Sequence, residues 1–80
     1  MVLTDSQRKA LEPSVELYFR KAVESGYCPY PAPIHLNAMI RVFHEVSPKT
    51  PFNAGCSQCV ISMVKKLGQW YFNDLKEMGR

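Results

Sequence analysis

The chain has 80 residues, 46% of them hydrophobic, and its ten basic and seven acidic residues give a net charge of +3. Eighty residues make one domain, whose thin core is often supplemented by a metal, a disulfide or a partner. No apolar run approaches the roughly 20 residues that span a bilayer, and the charged start lacks the apolar segment of a secretory signal. We therefore expect one soluble, cytoplasmic domain over residues 1–80.

The first helical pattern begins at Thr4. The segment Thr4-Asp5-Ser6-Gln7 fits a capping box, and apolar residues then recur at helical spacing. Pro13 would remove a hydrogen bond from a helix interior, so either the helix kinks there or a short first turn ends and the main helix starts near Pro13. The bias of Glu12 against helix, as the residue before a proline, favours the second arrangement. Gly26 is expected to cap the helix at its C-terminal end.

A proline-rich crossover follows over residues 27–33. Its alternating prolines favour an extended path, and the absence of flanking basic residues argues against a ligand for an aromatic groove. We expect a connector whose Tyr27 and Tyr30 lie over the core. Pro33 suits the first turn of the second main helix, and Ser47-Pro48 ends that helix.

The third helix has the clearest pattern, because its apolar stripe continues over about five turns. Asn53 or Ser57 is expected to cap its start, and Asp74 and Glu77 are typical of a solvated helix end. Gly68 lies mid-helix, where it either allows a neighbouring backbone to approach or is simply tolerated. The predicted fold is therefore all-α, with three helices. If the first main helix starts near Pro13, a short fourth helical turn precedes it at the N-terminus. The stripe consists of Val60, Met63, Val64, Leu67, Tyr71, Leu75 and Met78.

Three large apolar residues of the third helix fall outside this stripe: Ile61, Trp70 and Phe72. A three-helix domain needs one apolar stripe per helix, and aromatic residues dominate interface hot spots. The pattern therefore predicts that these three residues form a partner interface, either with another protein or with a second copy in a homo-oligomer.

Two cysteines, Cys56 and Cys59, lie at C-x-x-C spacing at the start of the third helix. Such a pair forms a redox couple or holds zinc, and a helix N-terminus favours the thiolate. The redox interpretation needs a preceding strand, which the sequence lacks. Zinc needs four ligands, which Cys28, Cys56 and Cys59 would provide with His35 or His44. The alternative is that the three thiols are reduced, small, buried apolar groups.

No other pattern indicates chemistry. The chain has no serine, histidine and acid arrangement, no glycine-rich phosphate loop and no paired catalytic carboxylates. We therefore expect a protein that is not an enzyme and has no cofactor, with zinc as the alternative. The connection over residues 47–54 is longer than a helix-turn-helix turn, which argues against DNA binding. If nucleic acid is bound, Lys65, Lys66 and Arg80 would contact the phosphates.

The aromatic first helix, the crossover and a last helix opened by Gly55-Cys56-Ser57-Gln58-Cys59 together resemble small helical proteins of tailed bacteriophages. The resemblance covers most of the chain and depends on Cys56, Cys59 and the stretch 67–71. It implies a minor virion subunit or a host-directed accessory factor in the bacterial cytoplasm, and it transfers no catalytic residue. The expected function is a non-catalytic interaction module of a larger assembly, with a small zinc-stabilised, nucleic-acid-binding domain as the alternative.

Overall fold

The computed structural model describes residues 2–50, 52, 53 and 55–78; of residue 78 it describes the backbone alone. Over these residues the chain is helical and contains no strand, which confirms the predicted all-α fold with its crossover. No helix in this part of the chain is both long and apolar enough to cross a membrane. The elements are α1 (Asp5–Leu11), a 3₁₀ turn (Glu12–Ser14), a π-helical turn (Val15–Phe19), α2 (Arg20–Ser25), α3 (Pro33–Val46) and α4 (Ser57–Met78).

The first four elements run on without a break and form one N-terminal rod, residues 5–25. At its start, the Thr4 side chain accepts the Gln7 N–H at 3.2 Å, and the Gln7 side chain accepts the Thr4 N–H at 2.9 Å. The predicted capping box is therefore confirmed. It satisfies two of the N–H groups that a helix start otherwise leaves without partners.

The expectation that a short turn ends and the main helix starts near Pro13 was wrong. Glu12 keeps helical angles, φ −52° and ψ −44°, and its N–H still donates to the Lys9 carbonyl. The missing Pro13 hydrogen bond is accommodated by tightening the chain to a 3₁₀ turn and then widening it to a π turn. The rod therefore passes through the proline instead of breaking there.

The predicted helix ends on either side of the crossover are confirmed. Gly26 adopts the left-handed conformation, with φ at +76°, and its N–H donates to the Ala22 carbonyl at 2.9 Å. Glycine suits this position because it has no Cβ to clash. Pro33 begins α3, where a missing N–H leaves no hydrogen bond unmade.

The core lies where α4 packs between the rod and α3. Gly68 allows the closest approach to the rod, since a Cβ at this position would lie 2.9 Å from Val23 Cγ2 and 3.4 Å from the Phe19 carbonyl oxygen. A Cβ at this position would therefore crowd the side chains of Val23 and Phe19, which the glycine avoids. The core residues are Leu3, Leu11, Val15, Tyr18, Phe19, Ala22, Cys28, Met39, Val42, Phe43, Val60, Met63, Val64, Leu67 and Tyr71.

Asp74 is buried, with 1% of its surface exposed, and the expectation of a solvated carboxylate was wrong for this residue. Its carboxylate accepts the Leu3 N–H at 2.7 Å and the Val2 N–H at 2.9 and 3.1 Å. The Arg8 guanidinium lies 3.7 Å away, donates to the Leu3 carbonyl at 2.7 Å, and also bonds Asp5. A buried carboxylate is stable only with such partners. Glu77 is exposed, as predicted.

Candidate functional site

The C-x-x-C pair lies at the start of α4, and Cys56 occupies the position directly before the first helical residue. The Cys59 N–H donates to Cys56 Sγ at 3.2 Å, so a sulfur takes the role that a serine or aspartate oxygen usually has in an N-cap. The prediction that Asn53 or Ser57 caps this helix was therefore wrong. Asn53 instead organises the preceding turn, where its side chain accepts the Gly55 N–H at 2.9 Å.

The two thiols of this pair have different acidities. The pKa of Cys56 lies below its ordinary value because the Cys59 thiol and then the Cys59 N–H donate hydrogen bonds to its sulfur. The pKa of Cys59 lies above its ordinary value, first because its proton is held in the bond to Cys56. Burial raises the pKa of the third thiol, Cys28, which is 1% exposed. Cys56 is thus the thiol that ionises most readily.

A cleft of about 470 Å³ opens beside this pair, between α4, the end of α3 and the loop that joins them. Phe43, Phe52 and Met63 form its apolar lining, and Cys59 and Lys66 contribute polar groups. In the described part of the chain, no carboxylate lies within ion-pair distance of Lys66. The cleft therefore combines an apolar floor, two lysines, Lys65 and Lys66, and a thiol.

The four residues predicted to hold zinc are not gathered into a metal site. His35 lies against the rod, with its ring 3.4 Å from the Ser14 hydroxyl and 5.4 Å from the Tyr18 ring centroid. Cys28 is buried within the crossover, whereas Cys56 and Cys59 lie at the start of α4. Among the residues whose structure is described, no group of three or more histidines, cysteines and acids is placed to hold a metal. Zinc binding stays a prediction.

The three residues of the predicted partner interface lie on two different flanks of α4. Trp70 faces α3 and stacks on Phe43, with ring centroids 5.9 Å apart. Phe72 faces the rod, where the Arg20 guanidinium lies 5.8 Å above its ring. Ile61, about three turns before Phe72, shares that second flank. All three are half-buried. An interface through them stays a prediction, but the structure does not unite them in one patch.

Of the three predicted phosphate contacts, the structure describes Lys65 and Lys66. Lys65 directs its ammonium toward Gly26, within 3.9 Å of where a Cβ would lie there. That position faces the C-terminal end of α2, where a helix dipole favours a cation. Lys66 is exposed beside the cleft, and Arg80 lies outside the described residues. The geometry therefore adds no support for a phosphate-binding surface.

The largest exposed apolar side chains lie elsewhere, on and beside the crossover. The prediction that Tyr27 and Tyr30 lie over the core was wrong, since they are 66% and 52% exposed. Ile34 is 77% exposed, and Leu17 is 49% exposed. Sequence reasoning placed Tyr27 and Tyr30 over the core and did not consider Leu17 and Ile34, because it searched for surplus apolar surface only on α4. The sequence did contain a signal for the exposure of Ile34, since this residue lies off the apolar stripe of α3 that buries Met39 and Phe43.

These observations define a small all-α protein with a dithiol at the start of its longest helix and an exposed apolar crossover. Compared with protein-family models, with curated proteins and with solved structures, the chain has no significant match in any of the three.

Proposed function

We propose that the chain is a non-catalytic protein–protein interaction module, acting as a minor subunit or accessory protein of a larger assembly. The observation that supports this most is that the four most exposed large apolar side chains that the structure describes lie on the crossover, at the start of α3 and in the rod. We name Leu17, Tyr27, Tyr30 and Ile34 the crossover patch. Aromatic residues and large apolar side chains are the usual anchors of protein interfaces.

The register between the rod and α3 brings members of this patch to one level. The two helices run antiparallel, with the Gln7 amide donating to Glu45 at 2.9 Å and Ser14 facing His35. Continuing this antiparallel pairing by three residues places Leu17 near residue 32, two residues before Ile34. Two of the most exposed apolar side chains, Leu17 and Ile34, therefore lie at about the same level along the two helices.

The crossover, which carries two residues of the patch, is anchored to the rod. The Tyr18 hydroxyl accepts the Ala32 N–H at 3.1 Å, and Cys28 and Pro31, both within the crossover, are buried. Prolines restrict the chain before binding, so that little additional entropy is lost when a partner docks. This preorganisation favours a binding surface over a merely tolerated exposed loop.

The crossover patch supports the proposal more strongly than the residues first predicted on α4. Trp70 and Phe72 already contact aromatic or cationic neighbours within the chain, whereas Ile34 presents most of its surface to solvent. The resemblance to helical phage proteins, whose members contribute small subunits to virions, is consistent with an assembly of this kind.

Substitution of Ile34 tests the proposal. We expect Ile34→Asp to lower self-association in a sedimentation concentration series, or to remove a partner recovered by affinity purification of the wild type. Asn37→Asp is the matched control, because it makes the same change in charge at another exposed position of α3. Both variants should stay folded by circular dichroism, since exposed substitutions change stability little.

Two outcomes would contradict the proposal. One is a wild-type chain that stays monomeric at high concentration and recovers the same proteins as Ile34→Asp. The other is equal loss of association in Ile34→Asp and Asn37→Asp. Near-stoichiometric zinc in the purified protein would instead favour the alternative, a small zinc-stabilised domain that contacts nucleic acid.

A further inference from the structure

The dithiol at the start of α4 has no part in the crossover patch. We propose that Cys56 and Cys59 form a thiol–disulfide exchange site, whose co-reactant is an anionic small-molecule disulfide of the glutathione type. Cys56 is the attacking sulfur, and Cys59 is the resolving sulfur. This inference is independent of the proposed interaction function.

The geometry of the pair allows an internal disulfide. Disulfide-bonded residues have Cα atoms roughly 4.4–6.8 Å apart, a distance that residues one helical turn apart satisfy. The Cys59 N–H holds Cys56 Sγ at 3.2 Å, so that the Cys56 side chain already points back toward Cys59. Both cysteines are only half-buried, which leaves them accessible to a reagent.

The hydrogen bonding divides the roles between the two sulfurs. Cys56 Sγ accepts the Cys59 N–H at 3.2 Å, which stabilises its thiolate, the form that attacks disulfides. The pKa of Cys59 lies above its ordinary value, so Cys59 reacts second. Cys28 is buried and takes no part. The sequence argument against a redox pair relied on the missing strand, but the hydrogen bond that Cys56 Sγ accepts at this helix start also favours the thiolate.

The adjoining cleft indicates the kind of disulfide. Its volume of about 470 Å³ suits a molecule of tripeptide size, and Cys59 lies in its wall. Lys66 brings a positive charge that attracts the carboxylates of a glutathione-type molecule. Phe52 and Met63 offer apolar contact to the remainder of the molecule.

The exchange transfers two electrons and balances without a further reagent. The Cys56 thiolate attacks one sulfur of the disulfide R–S–S–R, whose S–S bond breaks as a Cys56–S–S–R bond forms and the first R–S⁻ leaves. The Cys59 thiolate then attacks Cys56 Sγ, forming the internal disulfide and releasing the second R–S⁻. The two protons lost by the cysteines protonate the two released thiolates, so the small-molecule disulfide is reduced and the protein dithiol is oxidised.

The test treats the reduced full chain with glutathione disulfide, followed by acid quenching, intact mass measurement and peptide mapping. We expect the wild type to lose two hydrogen atoms and to gain a Cys56–Cys59 disulfide, while Cys28 stays reduced. Cys59→Ser should instead accumulate a glutathione adduct on Cys56. Cys56→Ser should form neither product, although serine preserves the cap and hence the fold.

Charge variants test the cleft. Lys66→Glu should slow adduct formation with glutathione disulfide by about tenfold, the factor for one removed and one opposing charge near a reaction site, and should leave the reaction with neutral hydroxyethyl disulfide unchanged. Lys49→Glu, an exposed lysine outside the cleft lining, is the matched control.

Several results would overturn the proposal. An adduct on Cys28 or Cys59 in place of Cys56, the absence of any internal disulfide, or near-stoichiometric zinc that protects both thiols would each contradict the exchange site. Equal rates for Lys66→Glu and Lys49→Glu would overturn the assignment of an anionic disulfide to the cleft.

Discussion

Removing the buried carboxylate of Asp74 should destabilise the fold more than any exposed substitution. Asp74→Ala deprives the buried Leu3 N–H and the part-buried Val2 N–H of their acceptor. It also leaves the Arg8 guanidinium, whose side chain is 9% exposed, without the carboxylate 3.7 Å away. Arg8 keeps its bonds to the Leu3 carbonyl and to Asp5. Its buried charge therefore loses only part of the interactions that offset its desolvation.

The magnitude follows from these contacts. Each buried donor left without an acceptor destabilises the fold by about 1–3 kcal/mol, and removal of one partner of a buried charge pair typically removes about 3–5 kcal/mol in total. We therefore expect Asp74→Ala to lower the free energy of unfolding by about 3–5 kcal/mol. An 80-residue domain has a stability of only about 4–12 kcal/mol. Asp74→Asn, which retains one oxygen acceptor, should lose roughly half as much.

Urea unfolding followed by far-ultraviolet circular dichroism measures this difference. Asn73→Ala is the matched control, because Asn73 is the exposed neighbour of Asp74 on the same helix and should change stability by less than about 0.5 kcal/mol. If Asp74→Ala does not fold, Asp74→Asn still supplies the measurement. A stability of Asp74→Ala within about 1 kcal/mol of Asn73→Ala would refute the reasoning.

Two further predictions follow from the packing and from the thiols. Gly68→Ala should destabilise the protein by about 1 kcal/mol in the same urea assay. The clash of the new Cβ with Val23 Cγ2 at 2.9 Å outweighs a helix-propensity gain of about 1 kcal/mol. An increase in the free energy of unfolding would contradict this expectation. Iodoacetamide should modify Cys56 before Cys28 near neutral pH, because the pKa of Cys56 is lowered and that of Cys28 is raised. The modification rate of Cys56 should fall only as the pH drops below its lowered pKa, whereas Cys28 should be modified at an appreciable rate only at higher pH. Peptide mapping of the labelled sites across pH measures both rates, and equal labelling of the two thiols would contradict this expectation.

Local signals in the sequence were sufficient to predict several of the helix ends, although not the passage of the rod through Pro13 or the cap of α4. The capping box at Thr4, the left-handed Gly26 and the first-turn Pro33 were all predictable, because each depends on a few neighbouring residues and on backbone chemistry. The close approach at Gly68 was one of two alternatives that the sequence left open, and packing against Phe19 decides between them.

Long-range partners could not be inferred in the same way. Asp74 lies at a core position of α4 while Leu75 is 41% exposed, the reverse of what hydrophobicity indicates. The reversal depends on backbone N–H groups of Val2 and Leu3, which no periodicity in α4 reveals. In the candidate site, the C-x-x-C spacing identified the cysteines, but the capping role of Cys56 required the geometry of the turn before the helix.

The bond between Leu3 and Asp74 joins residues 71 positions apart in the chain. Because translation produces Leu3 long before Asp74, the N-terminal segment has no buried acceptor to bind until most of α4 has been synthesised. The rod can form its own helical hydrogen bonds early, since these are local, but Arg8 must remain hydrated until its distant neighbour arrives. Closure of such a long loop is entropically unfavourable, so burial of the N-terminal segment should be among the last steps of folding and should follow release of α4 from the ribosome.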